Sequence, residues 1–164
     1  MKGIKQPTEE FSRVPAGLRI DRPPFPKSAK LEVTSRCDLN CFFCQHTYDT
    51  QKSGDIEPAL LSRLLRELRE LGVEDLGLFW IGEPLLNGAL NEHIAEAKAL
   101  SFPYVFITTN GRLATEECLE PLFEAGLDSI KFSFNADDAE SYRPRYAGST
   151  VSTKPWKISD VPGY

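Results

Sequence analysis

Apolar positions recur along the chain with two rhythms. Leu60, Leu61, Leu64, Leu65, Leu68 and Leu71 repeat every three or four residues, which predicts an amphipathic helix over 57–71. Arg63, Arg66, Glu67, Arg69 and Glu70 fall mostly off that stripe, Pro58 suits a first helical position, and Gly72 suits a left-handed stop. By contrast, 76–81 is nearly all apolar, as a strand covered on both faces is. The pattern then repeats: a helix over 88–100, a strand over 104–109, a helix over 115–125 between the cap Thr115 and the stop Gly126, and a strand over 129–134. Residues 31–34 alternate as a short first strand, and 137–142 reads as the start of a fourth helix. Strands starting at 76, 104 and 129 have the spacing of βαβ units, so the sheet should be parallel with its chemistry at the C-terminal strand ends. The predicted organisation is an extended, proline-bearing arm over 1–27, an α/β core over 28–148 and an irregular tail over 149–164.

At 164 residues the chain has the size of one domain, and 41% hydrophobic with 26% charged residues is an ordinary globular composition. A net charge of −5 argues against nucleic acid or anionic lipid as a general partner. No apolar run reaches the roughly 20 residues of a membrane span. The opening Met-Lys-Gly-Ile-Lys-Gln-Pro has no apolar secretory core, so a cytoplasmic protein without membrane contact is expected. Cysteine usage agrees. Cys37, Cys41 and Cys44 fall together while Cys118 stands alone, a pattern that suits metal binding rather than cross-linking.

The spacing C-x3-C-x2-C places three thiolates directly after the first strand. Three such ligands can hold three corners of an iron–sulfur cubane or three positions on zinc, both of which favour soft sulfur. A structural zinc site wants a fourth ligand. The nearest, His46, lies only two residues past Cys44.

Four segments in order resemble motifs of the radical S-adenosylmethionine (radical SAM) superfamily. Residues 31–45 resemble its CxxxCxxC cluster loop, with Phe43 as the aromatic before the last cysteine. Ile81-Gly82-Glu83-Pro84-Leu85 resembles its GGEP motif. Thr108-Thr109-Asn110-Gly111 and Ser133-Phe134-Asn135-Ala136 resemble the TTNG and S-L-D segments of the branch with the molybdenum-cofactor cyclases and SPASM-type enzymes. Ile81 replaces a glycine and Asn135 an aspartate of those patterns.

The resemblance implies a partial (β/α) TIM barrel with only about four of the usual six strands, and hence the N-terminal piece of a larger enzyme. It implies an oxygen-sensitive enzyme with a [4Fe–4S] cluster on Cys37, Cys41 and Cys44, which cleaves S-adenosylmethionine to a 5′-deoxyadenosyl radical that abstracts hydrogen from substrate. Phe43, Gly82, Glu83, Ser133 and Asn135 would then bind the cofactor, Gly82 and Glu83 through backbone groups. Thr109 and Asn110, with Arg112, would lie on the strand-end rim and touch a small-molecule or peptide substrate or support the cofactor. An electron donor such as flavodoxin or ferredoxin is implied as partner. Two other readings remain: a non-catalytic iron–sulfur module or electron carrier, and a structural zinc domain. His93 is expected as a surface or half-buried side chain rather than a ligand, and Phe42, Phe102, Phe106, Phe123, Phe132 and Phe134 mostly in the core.

Overall fold

The computed structural model of the chain describes residues 24–48 and 54–133, together with Gly17, Arg19 and Asp21. Most of the expected arm, Phe134, Asn135, the helix expected over 137–142 and the expected tail lie outside the described residues. Four strands form one sheet: β1 (Ser28–Lys30), β2 (Asp75–Gly77), β3 (Tyr104–Thr109) and β4 (Ser129–Phe132). They lie in chain order and every neighbouring pair is parallel. Three helices make the connections: α1 (Pro58–Glu70), α2 (Leu90–Ala99) and α3 (Glu116–Glu124). This is the expected α/β architecture of a partial (β/α) barrel.

The helices begin and end for local reasons. The Glu57 carboxylate accepts the N–H groups of Ala59 and Leu60, and Pro58 needs no partner at the first position. Thr115 caps α3 by accepting the N–H of Cys118. Gly72 and Gly126 close α1 and α3 with φ of 83° and 98°, a conformation that costs glycine little. Alternate strand residues face the helices. Leu76, Val105 and Ile107 form a core there with Leu61 and Leu65 of α1, Ile94 of α2 and Leu122 of α3.

The structure departs from the sequence reading at several points. The first strand precedes 31–34: Leu31 still donates to the Gly77 carbonyl, but Thr34 then bridges antiparallel to Asp55 and the chain leaves the sheet. The second strand is shorter than expected: Leu78 still donates to the Phe106 carbonyl, and beyond it the N–H groups of Ile81 and Gly82 go to the Glu32 carboxylate instead of β3. The leucine stripe on α1 is narrower than expected, since Leu61 and Leu65 are buried while Leu60 and Leu71 at its flanks are exposed. His93 is buried instead of half-buried or at the surface, and burial lowers its pKa. Phe42 and Phe123 stand exposed, not in the core.

Candidate active site

The parallel sheet brings four segments to one edge. The cysteine loop follows β1, Gly82–Glu83 follows β2, Thr109–Asn110 ends β3, and Ser133 follows β4. The cysteine loop is fixed before its first cysteine. Ser35 exchanges bonds with Gly54, its N–H donating to the carbonyl at 2.9 Å and its hydroxyl accepting the Gly54 N–H at 3.0 Å. Arg36 donates to both Asp55 carboxylate oxygens at 2.8 and 2.7 Å and to the Leu86 carbonyl at 2.6 Å. The buried Asn87 donates to the Val33 carbonyl at 2.7 Å. These bonds hold 33–36 against the turn that carries Glu83.

Beyond that anchor, Cys37, Cys41 and Cys44 are half-buried thiols outside any disulfide. The Cys44 N–H donates to the Cys41 carbonyl and folds the loop. Burial pushes the Cys41 thiol up to about 11, helped by the charges of Cys37 and Cys44. Burial also raises Cys37, against a lowering hydrogen bond from the Leu39 backbone. The three sulfurs thus lie close enough to feel one another's charge. Yet among the described residues no three His, Cys, Asp or Glu side chains converge as ligands of one ion do. A cubane takes its thiolates at separate corners, each on its own iron, and three cysteines at this spacing suit that donor set. The His46 ring turns back to the Ser35 carbonyl at 3.0 Å. A carbonyl only accepts, so Nε2 donates, and Nδ1 is buried without a hydrogen-bond partner among the described residues.

Glu83 is the hub of the strand ends. It is 3% exposed, and its carboxylate accepts the Thr109 hydroxyl at 2.7 Å, the Asn110 N–H at 2.8 Å and the Leu85 N–H at 3.1 Å. Burial raises its pKa, and those three donors oppose the rise. The Glu83 N–H donates to the Arg36 carbonyl at 2.8 Å. Gly82 passes so near the cysteine loop that a Cβ on it would lie 2.0 Å from the Thr34 carbonyl oxygen. With the amides of Ile81, Gly82 and Glu83 all committed, the backbone here can offer acceptors to a ligand. Among the described residues nothing donates to the carbonyls of Ile81 or Gly82.

The structure places Thr109 behind the rim: it is 1% exposed, and its hydroxyl also accepts the Gly111 N–H. Asn110 turns towards the cysteine loop and donates to Asp38 at 2.8 Å, while its carbonyl oxygen accepts the Arg112 N–H. Arg112 donates to the Asp38 backbone carbonyl at 3.1 Å and lies 3.6 Å from its carboxylate. Asn110 and Arg112 thus tie the cysteine loop to the end of β3, and Thr109 ties Glu83 to the same strand end. Ser133 is exposed on the rim, its N–H bonded to the Thr109 carbonyl. Phe43 is half-exposed, edge-on to Phe42. Glu32, Arg36, Asp38 and Asn87 escaped the sequence reading; charged residues on both sides of Cys37 were the one local signal.

The model of the radical SAM superfamily matches residues 31–157, more than half of the sequence. The chain belongs to the radical SAM superfamily. Members use a [4Fe–4S] cluster and S-adenosylmethionine, and those are the cofactors of this enzyme family. A probable GTP 3′,8-cyclase of Methanothermobacter thermautotrophicus is 35% identical over 116 residues, 71% of this chain and 37% of that protein. Another, of Archaeoglobus fulgidus, is 33% identical over 143 residues, 87% of this chain and 43% of that protein. This radical SAM chain therefore spans less than half the length of these relatives. Among solved structures, BtrN in complex with AdoMet and 2-DOIA superposes with a TM-score of 0.61 at 26% identity, over 68% of this chain and 46% of that one. Streptococcus suis SuiB bound to S-adenosylmethionine gives 0.53 at 26%, over 66% and 24%. SuiB has also been solved bound to precursor peptide SuiA. No described helix is long and apolar enough to cross a membrane.

Proposed function

We propose that this chain carries the cofactor site of an enzyme that cleaves S-adenosylmethionine reductively and directs the resulting 5′-deoxyadenosyl radical at a substrate C–H bond. The observation that carries the reading is the three-thiol loop, tied through Arg36 and Asp38 to the Glu83 turn and the Asn110 strand end. Cys37, Cys41 and Cys44 would hold three corners of the [4Fe–4S] cluster, leaving one iron for an exchangeable ligand. When bound, the cluster and S-adenosylmethionine supply the one-electron cleavage of the sulfonium.

The protein's own share is placement. The open carbonyls of Ile81 and Gly82 suit the methionine amine, which needs acceptors. Glu83 works through its buried carboxylate, holding this turn at a fixed distance from β3. Ser133 and Asn135 follow β4, where a ribose or carboxylate needs hydrogen bonds, and the exposed ring of Phe43 offers an apolar surface to adenine. Thr109 and Asn110 serve the substrate by positioning the rim. Substrate enters over the face of the sheet turned away from the helices, beside the C-terminal strand ends. A flavodoxin or ferredoxin would deliver the electron.

The test is anaerobic reconstitution with iron and sulfide, then dithionite and S-adenosylmethionine, followed by chromatography for 5′-deoxyadenosine. The wild-type chain should form it and Cys41→Ala should not. Equal amounts from both would overturn the assignment of the cluster to these cysteines.

A further inference from the structure

Asp38 follows the first cysteine, and its side chain folds back against the end of β3. One oxygen, Oδ1, accepts the Asn110 side-chain amide at 2.8 Å. The other, Oδ2, is buried and takes no hydrogen bond among the described residues. Arg112 Nε stands 3.6 Å from it, too far for a hydrogen bond, and the same guanidinium donates to the Asp38 backbone carbonyl at 3.1 Å. The Asp38 side chain is 18% exposed and that of Arg112 31%, so salt and water screen this pair less than a surface one. Asn110 also gives its backbone N–H to the Glu83 carboxylate at 2.8 Å, so one residue holds two acids behind the cysteine loop.

The bond to Asn110 does not need a charge at position 38. An asparagine oxygen would accept the same amide, at a smaller desolvation cost than an ionised group carries. A buried oxygen without a hydrogen bond is uncommon in a fold and calls for a reason other than stability. Its neighbours supply one. Burial is the first cause that raises the Cys37 and Cys41 thiols and the Glu83 carboxyl, and the Asp38 charge adds to the rise of all three. The field of this carboxylate therefore reaches the sulfurs. Consecutive Cα atoms are about 3.8 Å apart, which keeps the carboxylate within roughly 10 Å of a group bound by Cys37.

We propose that Asp38 and Arg112 set the reduction potential of the cluster on Cys37, Cys41 and Cys44, the carboxylate lowering it and the guanidinium partly offsetting that effect. The step concerned is the arrival of one electron from a low-potential carrier. The cluster gains one negative charge, and no bond forms or breaks. A fixed anion beside the cluster opposes that gain, so the electron once held is a stronger reductant for the sulfonium. At an effective permittivity of about 20, a unit charge at roughly 10 Å changes such an equilibrium by about tenfold. This deepens the proposed function, because it rests on a cluster at these three cysteines.

The test is a potentiometric titration of the anaerobically reconstituted full chain, without S-adenosylmethionine, reading the reduced cluster by electron paramagnetic resonance with low-potential mediators. Asp38→Asn, which keeps the size and the oxygen that Asn110 needs, should raise the midpoint by about 59 mV, a tenfold change for one electron. Arg112→Gln should lower it. Glu70→Gln, which removes an exposed acid from α1, should leave it unchanged. Loosening of the loop would move the Asp38 and Arg112 variants the same way, so opposite shifts separate charge from structure. Unmoved midpoints, or two shifts of one sign, would overturn the proposal. Where Asp38→Asn holds no cluster, Arg112→Gln decides: a lower midpoint supports the proposal and an unchanged or higher one overturns it. A wild-type chain that takes up no cluster refutes the assignment of the cysteines and this proposal with it, whereas a wild-type cluster with unmoved variants refutes this proposal alone.

Discussion

Gly82→Ala is the sharpest perturbation of the site. The added methyl would lie 2.0 Å from the Thr34 carbonyl oxygen and 2.9 Å from that of Arg36. Both neighbours are backbone, so no rotamer change relieves the clash. Restoring ordinary contact requires the Glu83 turn and the cysteine loop to separate by more than about 1 Å. Such a shift would break the bonds that cross the gap: Ile81 and Gly82 to Glu32 at 2.9 and 3.0 Å, and Glu83 to Arg36 at 2.8 Å. Bonds to a carboxylate contribute about 1.5–3 kcal/mol and a neutral one about 1 kcal/mol. Partial relaxation keeps some of these, so a loss of about 4 kcal/mol is expected, a large part of the roughly 5–15 kcal/mol that holds a domain. The assay is urea unfolding followed by far-ultraviolet circular dichroism, with Gly88→Ala alongside. Gly88 has open space around its Cβ position, so that variant should stay within about 1 kcal/mol of wild type. If Gly82→Ala unfolded at the wild-type urea concentration, the close approach of the two loops would be wrong.

Three further outcomes follow from the same contacts. Leu61→Ala, at a fully buried position of α1, should destabilise by about 3 kcal/mol in the same unfolding assay, and a loss under 1 kcal/mol would mean α1 does not seal this core. Burial raises the Glu83 carboxyl above its ordinary 4.5, so its ionised form is less stable in the folded than in the unfolded chain. Stability from this group is whole below that value and lost as pH rises through the raised one. The stability of Glu83→Gln relative to wild type should therefore improve between about pH 4 and pH 7, and a pH-independent difference would contradict the burial argument. With the Cys41 thiol up at about 11, ligands must shed protons to take iron. Reconstitution should release protons and run faster at about pH 9 than at about pH 7, as stopped-flow with a pH indicator would record.

Most of the α/β frame is legible in the chain because its signals are local. Three- and four-residue leucine spacing, Pro58, Thr115, Gly72 and Gly126 mark helices within a few residues of where they form. The cysteines and the strand-end motifs are legible as residue types in order. Their partners are not. Glu32 meets Gly82 across 50 positions, and Asn110 meets Asp38 across 72. Such pairs exist only once parallel strands align their C-terminal ends. That is also why Thr109 and Asn110 read as rim residues facing substrate, whereas their polar groups turn inward to Glu83 and Asp38. The path of 81–82 has the same origin, since an apolar run contains no sign that a distant glutamate takes its amides.

The central claim is that Cys37, Cys41 and Cys44 hold a cluster with one iron left open to S-adenosylmethionine. Electron paramagnetic resonance of the reconstituted, dithionite-reduced chain, before and after adding S-adenosylmethionine, tests it most directly. The account predicts a reduced [4Fe–4S] signal that changes shape when the cofactor is added and is absent in Cys41→Ala. A signal that the cofactor leaves unchanged, or one that survives Cys41→Ala intact, would contradict it.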